Sequence, residues 1–327
     1  MRHFIHSTPW KYHLALLLSW DCGASDETQE THGFTHLAEH LLFFGTDHYT
    51  EAQYQDILYR LFSSIEARTS QTQMKIYCLF HRDDIQEVCE FLLNTLNYAH
   101  LAQDDFPKIH NEIQQEIQQY QQSREYHDLK DIHSFIPYTH SPLGYENLSL
   151  TYETCLEAQD FLRKQLQDSH LSVFLLGNWT EKEISHLSSV TNQYLEKPLL
   201  EKTQKKNPYW IVQNTRLWIQ ARGTYDSLED DVFFTWLRDR CDQYDARCYV
   251  LYRQNIRYWV IIGDKRADIW DIPSFEKEIA FWRAIYKKDL ASDIDVIQWH
   301  KTIDRMQYYH EHVMDASTNL KDIHAQL

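Results

Sequence analysis

Glycine and proline are scarce in this sequence, with only 7 of each among 327 residues. Because these two residues mark most turns, turns must be few, and long helices are expected to form much of the structure. The composition, 43% hydrophobic and 24% charged, is that of a soluble globular protein with enough apolar material for a core. It excludes a disordered chain, a collagen-like chain and a coiled coil.

Long hydrophobic runs and paired cysteines are also missing. The longest apolar stretch near the start, Leu14–Leu18, is too short for the core of a secretory signal and for a membrane span, which needs about 20 residues. The six cysteines are scattered without a CxxC pair, which indicates neither a thiolate zinc site nor a dense disulfide framework. We therefore expect a cytoplasmic protein without a membrane span.

Positive charge is in deficit, because 32 lysine and arginine residues stand against 48 aspartate and glutamate residues, for a net charge of −16. This excess of negative charge would repel a phosphate backbone, so a nucleic-acid partner is not expected. A negative field suits basic or neutral peptides and metal cations, although an acidic surface more often serves solubility alone.

A lysine-rich segment with two prolines, EKPLLEKTQKKNP at 196–208, divides the chain. Its low apolar content is typical of a linker. We therefore predict a first domain over 1–195 and a second, shorter domain over 209–327.

Apolar periodicity and the few turn signals predict an α+β fold. In the first domain they predict strands at 11–20, within 63–80 and at 171–177, and helices at 34–44, 50–62, 83–99, from 104 onward, 152–166 and 180–195. In the second domain they predict a strand at 210–220, a helix at 228–240, a strand pair at 246–252 and 257–262, and two closing helices.

One predicted helix carries a motif with chemical meaning. His36, Glu39 and His40 form an HxxEH pattern. Residues four positions apart lie on one face of a helix, so both imidazoles can reach a single metal ion while Glu39 projects beside them. Two neutral imidazoles suit zinc, and a nearby carboxylate outside the ligand set can act as a general base. A third protein ligand is still required.

The residues around this motif, HGFTHLAEHLLFFGT, resemble the signature of the pitrilysin/insulinase zinc peptidases, the inverzincins. Gly33 before the helix, the apolar run Leu41–Phe44 and the pair Gly45-Thr46 after it all match that pattern. The resemblance implies a sheet packed by helices. It also implies that the second domain, at 119 residues, is shorter than the halves of the family's subunits.

The same resemblance implies one zinc per chain and places its third ligand, a glutamate, on a later helix. Glu116 fits this position, because it follows His40 by 116 − 40 = 76 residues within EIQQEIQQY. The family has another acidic residue two turns upstream of that ligand, where this chain has Ile109. Glu112, one turn upstream, is the candidate to replace it as an outer partner of the metal site.

The segment Ser64–Thr69 resembles the family strand that pairs with a peptide substrate by edge addition. Glu66 stands where the family has asparagine, and Ala67 follows it. Backbone pairing with the substrate would survive this replacement, whereas the usual side-chain contact would not. An ordinary surface strand is the alternative interpretation.

In the second domain, LRDRCDQYDARCYVLY resembles a family segment in which an arginine and a tyrosine reach the substrate and its tetrahedral intermediate. Tyr249 matches the tyrosine. Either Arg238 or Arg240 matches the arginine, since the spacing to Tyr249 is longer than usual. The alternatives are a buried strand tyrosine and arginines on a helix surface.

The resemblance implies a zinc-dependent endopeptidase that cleaves short or unfolded peptides, such as leader segments, with Glu39 as general base. The short second domain suggests that a related subunit completes the cavity, in a heterodimer or a homodimer. A non-catalytic subunit that binds peptide or scaffolds an active partner is the alternative. A metal hydrolase acting on another kind of bond is a third hypothesis.

Overall fold

The structure is a computed structural model, and two compact units make up the chain. It describes residues 3–28, 30–70, 73–124, 126–128, 150–191, 211–213, 217–222, 237–238, 240–243, 246–253, 256–263 and 303. The first unit comprises Met1–Tyr126 and Tyr138–Leu199, and the second comprises His127–Pro137 and Leu200–Leu327. The second unit therefore takes in a short segment, 127–137, that the predicted first domain contained.

A five-stranded sheet forms the centre of the first unit. Its strands are β1 (His3–His6), β2 (His13–Trp20), β3 (Phe62–Thr69), β4 (Met74–His81) and β5 (Leu171–Gly177). Their order is β1-β5-β2-β4-β3, and every pair is antiparallel except the parallel pair of β1 with β5. The run HLALLLSW explains the inner position of β2, because only a strand covered on both faces can bury so continuous an apolar sequence.

Six α-helices of the same unit lie within the described residues over their full length. They are α1 (Phe34–Leu42), α2 (Glu51–Leu61), α3 (Ile85–Tyr98), α4 (Phe106–Gln122), α5 (Tyr152–Asp168) and α6 (Glu181–Thr191). Alternate residues of β2, from Leu14 to Trp20, point to one face of the sheet and share a hydrophobic core with these helices. Leu37 and Leu41 place the inner face of α1 in this core, and both are fully buried.

The second unit contains a four-stranded antiparallel sheet in the order β6-β7-β9-β8. The strands are β6 (Ile211–Gln213), β7 (Leu217–Arg222), β8 (Arg247–Arg253) and β9 (Ile256–Ile262). Two strands thus occupy the stretch where the sequence predicted one strand at 210–220. The predicted linker at 196–208, most of the helix at 228–240 and all of the closing helices except the helical residue Ile303 lie outside the described residues.

The main difference from the predicted elements is β1, a strand that was not predicted. Its four residues are too few to show a clear periodicity, and its place in the sheet depends on pairing with β5, far along the chain. The other predicted elements of the first unit appear within a few residues of the expected bounds. Among the described residues, no helix is both long enough and apolar enough to cross a membrane.

Tyr54 on α2 joins three helices through its hydroxyl group. The side chain is fully buried. The hydroxyl donates a hydrogen bond of 3.1 Å to the carbonyl oxygen of Leu42, the last residue of α1, and is also hydrogen-bonded to Thr95 on α3. The C-terminal end of α1 is thereby fixed against its neighbours.

We expect Tyr54→Phe to lower the free energy of unfolding by about 1–3 kcal/mol, because the Leu42 carbonyl and the Thr95 hydroxyl would lose a buried partner. Urea denaturation measures the change. Tyr59→Phe on the same helix is the matched control, since Tyr59 is 87% exposed and should show almost no effect. Equal effects of the two substitutions would contradict this role of Tyr54.

Candidate metal centre

Helix α1 carries the HxxEH motif at the border between the core and the surface. His36 is buried, whereas Glu39 and His40 are only partly buried. The helix begins after Gly33, which has a left-handed backbone with φ of 92° and therefore favours glycine. The four-residue spacing brings the two imidazole rings to a centroid separation of 4.8 Å.

Helix α4 brings Glu116 to the same place. Ile109 and Ile113 on this helix are buried, and Ile117 packs partly against the core. Glu116 lies three and seven positions after the two buried isoleucines, so it is on the inner side of α4 and faces α1. Its side chain remains 41% exposed, which leaves the carboxylate accessible.

The three side chains converge closely. The Nε2 atom of His40 lies 2.8 Å from one carboxylate oxygen of Glu116, and the Nε2 atom of His36 lies 3.7 Å from the other. One ligand atom from each residue lies within 4.8 Å of the other two. In tetrahedral zinc sites, neighbouring ligand atoms are about 3.3 Å apart, so small side-chain rotations suffice to hold a metal ion. Among the described residues, this is the one group of three or more potential ligands.

The two imidazoles differ in protonation. Burial and the charge of His40 lower the pKa of His36 to about 4, against a weaker opposing effect of Glu116. Burial alone would also lower the pKa of His40, but its hydrogen bond with Glu116 and the charges of Glu116, Glu39 and Glu112 outweigh burial and raise it. Between about pH 4 and pH 6.5, in the absence of metal, His36 is therefore mainly neutral and His40 mainly protonated.

The two carboxylates are also shifted in opposite directions. The hydrogen bond from His40 lowers the pKa of Glu116, which suits an anionic metal ligand. Burial raises the pKa of Glu39, while its interactions with Thr69 and the charge of His40 act in the other direction. A raised pKa is what a carboxylate needs to exchange protons near neutral pH.

A cavity of about 340 Å³ opens beside Glu39 and His40. Residues from α1, its C-terminal end, α2, β3 and α4 complete its lining, namely Phe43, Phe44, Glu51, Gln55, Ala67, Lys108 and Glu112. The Lys108 ammonium is ion-paired with Glu51 and lies 5.2 Å above the Phe44 ring. The cavity thus combines aromatic surface with acidic groups that a single, already paired lysine only partly balances.

Strand β3 borders this cavity through Ala67 and is the edge strand of its sheet as described. Glu66, which precedes Ala67, forms an ion pair of 2.7 Å with Arg68, two residues further along β3 on the same face of the sheet. Arg68 in turn lies 5.0 Å from the centre of the Tyr77 ring. The Glu66 side chain is therefore directed to Arg68, while the outer backbone edge of β3 runs beside the candidate metal site.

In the second unit, Tyr249 on β8 forms a cluster with two residues that were not among the predicted site residues. The Tyr249 hydroxyl donates a hydrogen bond of 2.6 Å to Asp128, and the Arg247 guanidinium forms an ion pair with the same carboxylate. Burial, with the neighbouring Asp128, raises the pKa of Tyr249 to about 12. Arg238 is exposed and Arg240 is half-buried, in a helical stretch before β8.

The predicted site lacked Glu51 and Lys108, which line the cavity, as well as Asp128 and Arg247, which contact each other beside Tyr249 in the second unit. Glu51 and Lys108 are 57 positions apart in sequence, and Asp128 and Tyr249 are 121 apart. No local pattern links such pairs. The alternation of Arg247 and Tyr249 along a strand, which puts both on one face, is the one signal that could have associated these two residues.

Comparison with known proteins finds a match for part of the chain. Residues 5–147 match the sequence model of the family described as Insulinase (Peptidase family M16), a range that contains all three candidate ligands. Among characterised proteins, subunit beta of the mitochondrial-processing peptidase from Neurospora crassa is 26% identical over 124 residues. This match covers 38% of the chain and 26% of that subunit, so the chain aligns with about a quarter of this relative.

Solved protease structures share the fold. The first half of the periplasmic protease PqqL from Escherichia coli has a TM-score of 0.62 at 10% identity, covering 99% of this chain and 85% of that one. The complete PqqL covers the same share of this chain with a TM-score of 0.60 at 12% identity, but only 40% of its own length is matched. A protease from Helicobacter pylori has a TM-score of 0.55 at 15% identity, covering 94% and 82% of the two chains. These similarities confirm the predicted α+β fold class.

We expect Glu116→Gln to raise the dissociation constant for zinc by more than about 100-fold, because even changes outside the ligand set typically cost 10-fold or more. Competition with a chromophoric chelator measures this constant. Glu112→Gln is the matched comparison, since Glu112 lies one turn away on α4 and, as an outer partner outside the ligand set, should raise the constant by only about tenfold. A larger effect of the Glu112 substitution would identify Glu112 as the ligand instead.

We also expect zinc binding at pH 6 to release about one proton. His36, with a pKa of about 4, is already neutral there, whereas His40 must lose its proton. Two histidines of ordinary pKa would together release about 1.5 protons. Zinc affinity should accordingly fall as the pH is lowered through the pKa of His40. Calorimetry in buffers of different ionisation enthalpy measures the release, and a value near 1.5 would contradict the lowered pKa of His36.

Proposed function

We propose that this chain is a zinc-dependent peptidase in which His36, His40 and Glu116 hold one zinc ion. The observation that carries the proposal is the convergence of the three ligand atoms within 4.8 Å, with Glu39 beside them at the wall of a cavity. The match of residues 5–147 to the M16 peptidase family supports peptide-bond hydrolysis as the reaction.

The donor set favours zinc over other common metal ions. Two imidazole nitrogens and one carboxylate are typical of catalytic zinc sites, which leave one position open, whereas magnesium and calcium prefer all-oxygen sites. Bound there, zinc would supply Lewis-acid polarisation of a carbonyl group and would lower the pKa of a water molecule. The lowered pKa of Glu116 keeps this ligand anionic, and His36 is ready to bind without losing a proton.

Glu39 is the proposed general base and, later, the general acid. It lies one residue before His40 on α1 and lines the same cavity, but it is not among the converging ligands. Its carboxylate can take a proton from water and deliver it to the leaving amine. Burial, which raises the pKa of Glu39, makes the second of these transfers easier at neutral pH.

The proposed substrate is a short or unfolded peptide bound in extended form. Strand β3 offers an edge on which an extended backbone can add as a further strand, and its Ala67 lines the cavity together with Glu39 and His40. A peptide bond paired to this edge would therefore pass close to the candidate metal site. The cavity beside it could receive a substrate side chain against the rings of Phe43 and Phe44.

The remaining expectations belong to the same proposal. They are a metal-binding domain over 1–195, a second domain over 209–327 and a cytoplasmic location. A related partner subunit, in a heterodimer or a homodimer, is supported by the name of the Neurospora relative, which is one subunit of its peptidase. The contributions of Glu66, Tyr249, Arg238 and Arg240 to substrate binding stay predictions.

Glu39→Gln should retain one zinc per chain and lower the rate of peptide hydrolysis by about 100-fold or more, because it removes the proton acceptor and leaves the ligands unchanged. Elemental analysis after dialysis measures zinc, and a library of quenched fluorescent unfolded peptides measures hydrolysis. Glu157→Gln on α5 is the control, since Glu157 is exposed and does not line the cavity.

A rate within a few-fold of the wild-type rate would exclude Glu39 as the base. A wild-type chain that binds zinc but cleaves no peptide, alone or with a partner subunit, would favour the non-catalytic subunit over the enzyme. Cleavage of ester but not amide compounds would favour a different hydrolase.

A further inference from the structure

A buried carboxylate outside the ligand set holds the beginning of helix α1. The side chain of Glu27 is among the few buried charged groups of the described residues, with an exposure of 5% for the whole residue. One of its oxygens accepts a hydrogen bond of 2.8 Å from the backbone N–H of Gly33, and the other accepts one of 2.8 Å from the N–H of Thr35. Both lengths are typical of charge-assisted hydrogen bonds.

This arrangement replaces the usual cap of a helix. Serine, threonine, aspartate or asparagine commonly occupies the N-cap position and binds a free N–H of the first turn. Here the N-cap residue is Gly33, which has no side chain and makes no side-chain cap bond. Glu27 provides the cap from six residues upstream, and its negative charge also lies at the positive end of the helix dipole.

The loop between Glu27 and α1 is closed by further hydrogen bonds. The N–H of Thr28 donates to the Thr31 hydroxyl at 2.9 Å, and the N–H of Phe34 donates to the Thr31 carbonyl at 3.0 Å. Upstream, the N–H of Ala24 donates to the carbonyl of Ser70, directly after β3, at 3.1 Å. Glu27 is thus attached to a loop that is itself fixed to the sheet.

The position of this cap matters for the ligands. Thr35, which donates to Glu27, directly precedes His36, and α1 carries His36, Glu39 and His40 within its nine residues. A small rotation or shift of the first turn would move His36 most. The contact of His36 with Glu116 is already the longer of the two, at 3.7 Å against 2.8 Å for His40.

We propose that Glu27 is a positioning residue for the metal centre: by binding the N–H groups of Gly33 and Thr35, it fixes the first turn of α1 so that His36 points at Glu116. The proposal rests on the zinc site proposed above. Glu27 is not among the converging ligands and does not line the cavity, so it acts through the backbone of α1.

The test compares Glu27→Gln and Glu27→Ala with Thr180→Ala. The glutamine keeps the volume of Glu27 but replaces one accepting oxygen with an NH2 group, so either Gly33 or Thr35 loses the oxygen that now accepts its N–H. Alanine removes both bonds. Thr180 is the control because it caps α6 in the ordinary way, accepting from the N–H of Glu183 at 3.3 Å, and α6 carries no ligand and no cavity residue.

Two quantities are measured: the dissociation constant for zinc, by chelator competition, and hydrogen exchange of the metal-free protein, by mass spectrometry of peptides covering α1 and α6. We expect Glu27→Gln to raise the zinc dissociation constant by about tenfold, Glu27→Ala to raise it further, and Thr180→Ala to leave it unchanged. Exchange should become several-fold faster at the start of α1 in the Glu27 variants and at the start of α6 in the control.

The outcomes separate this proposal from the function proposed above. An unchanged zinc affinity in folded Glu27 variants, or an equal loss in Thr180→Ala, would overturn positioning by Glu27. A wild-type chain that binds no zinc would instead overturn the zinc site. In that case, hydrogen exchange at the start of α1 would still test whether Glu27 holds the helix. Unchanged exchange there in the Glu27 variants would show that it does not.

Discussion

The interaction on which the candidate site depends is the convergence of Glu116 with two imidazoles presented one helical turn apart. It requires α1 and α4, which are separated by two strands and two helices in sequence, to be held at close range by the core. The sheet supplies a rigid base for both helices, through the apolar strand β2 and the inner face of α1. Tyr54 holds one end of α1 through the Leu42 carbonyl, and Glu27 binds the N–H groups at the other end.

The protonation pattern of the metal-free site follows from the same packing. His36 lies deep enough that burial outweighs the attraction of Glu116, whereas His40 is more exposed and shares a short contact with that carboxylate. The metal-free pair of His40 and Glu116 thus resembles an ion pair that a metal ion can replace. The excess of acidic residues, which gives the chain a net charge of −16, favours the approach of cations to this site.

The sequence was sufficient for those features that depend on local periodicity. The helical spacing of His36 and His40 needs only one turn of helix, and the apolar faces of α1 and α3 are visible as repeats of three and four. Glu116 was found through a family resemblance, since nothing in a glutamine-rich helix marks one glutamate as a ligand. The contacts of Lys108 with Glu51 and of Asp128 with Arg247 depend on the tertiary fold, so no local pattern could reveal them. Glycine at the N-cap position of α1 does indicate one non-local contact. Because Gly33 has no side chain, the free N–H groups of the first turn need an acceptor from elsewhere.

The strand order has a consequence for how the protein assembles during synthesis. Strand β5 lies between β1 and β2, although it follows them by about 150 residues, so the two earliest strands cannot be bridged until β5 has left the ribosome. All the candidate ligands are made before that moment. Until then, the apolar strand β2 exposes one of its edges, and chaperone binding to the nascent chain would be most useful at this stage. Because β5 pairs with strands far away in the sequence, its insertion between β1 and β2 should also be the slow step of folding.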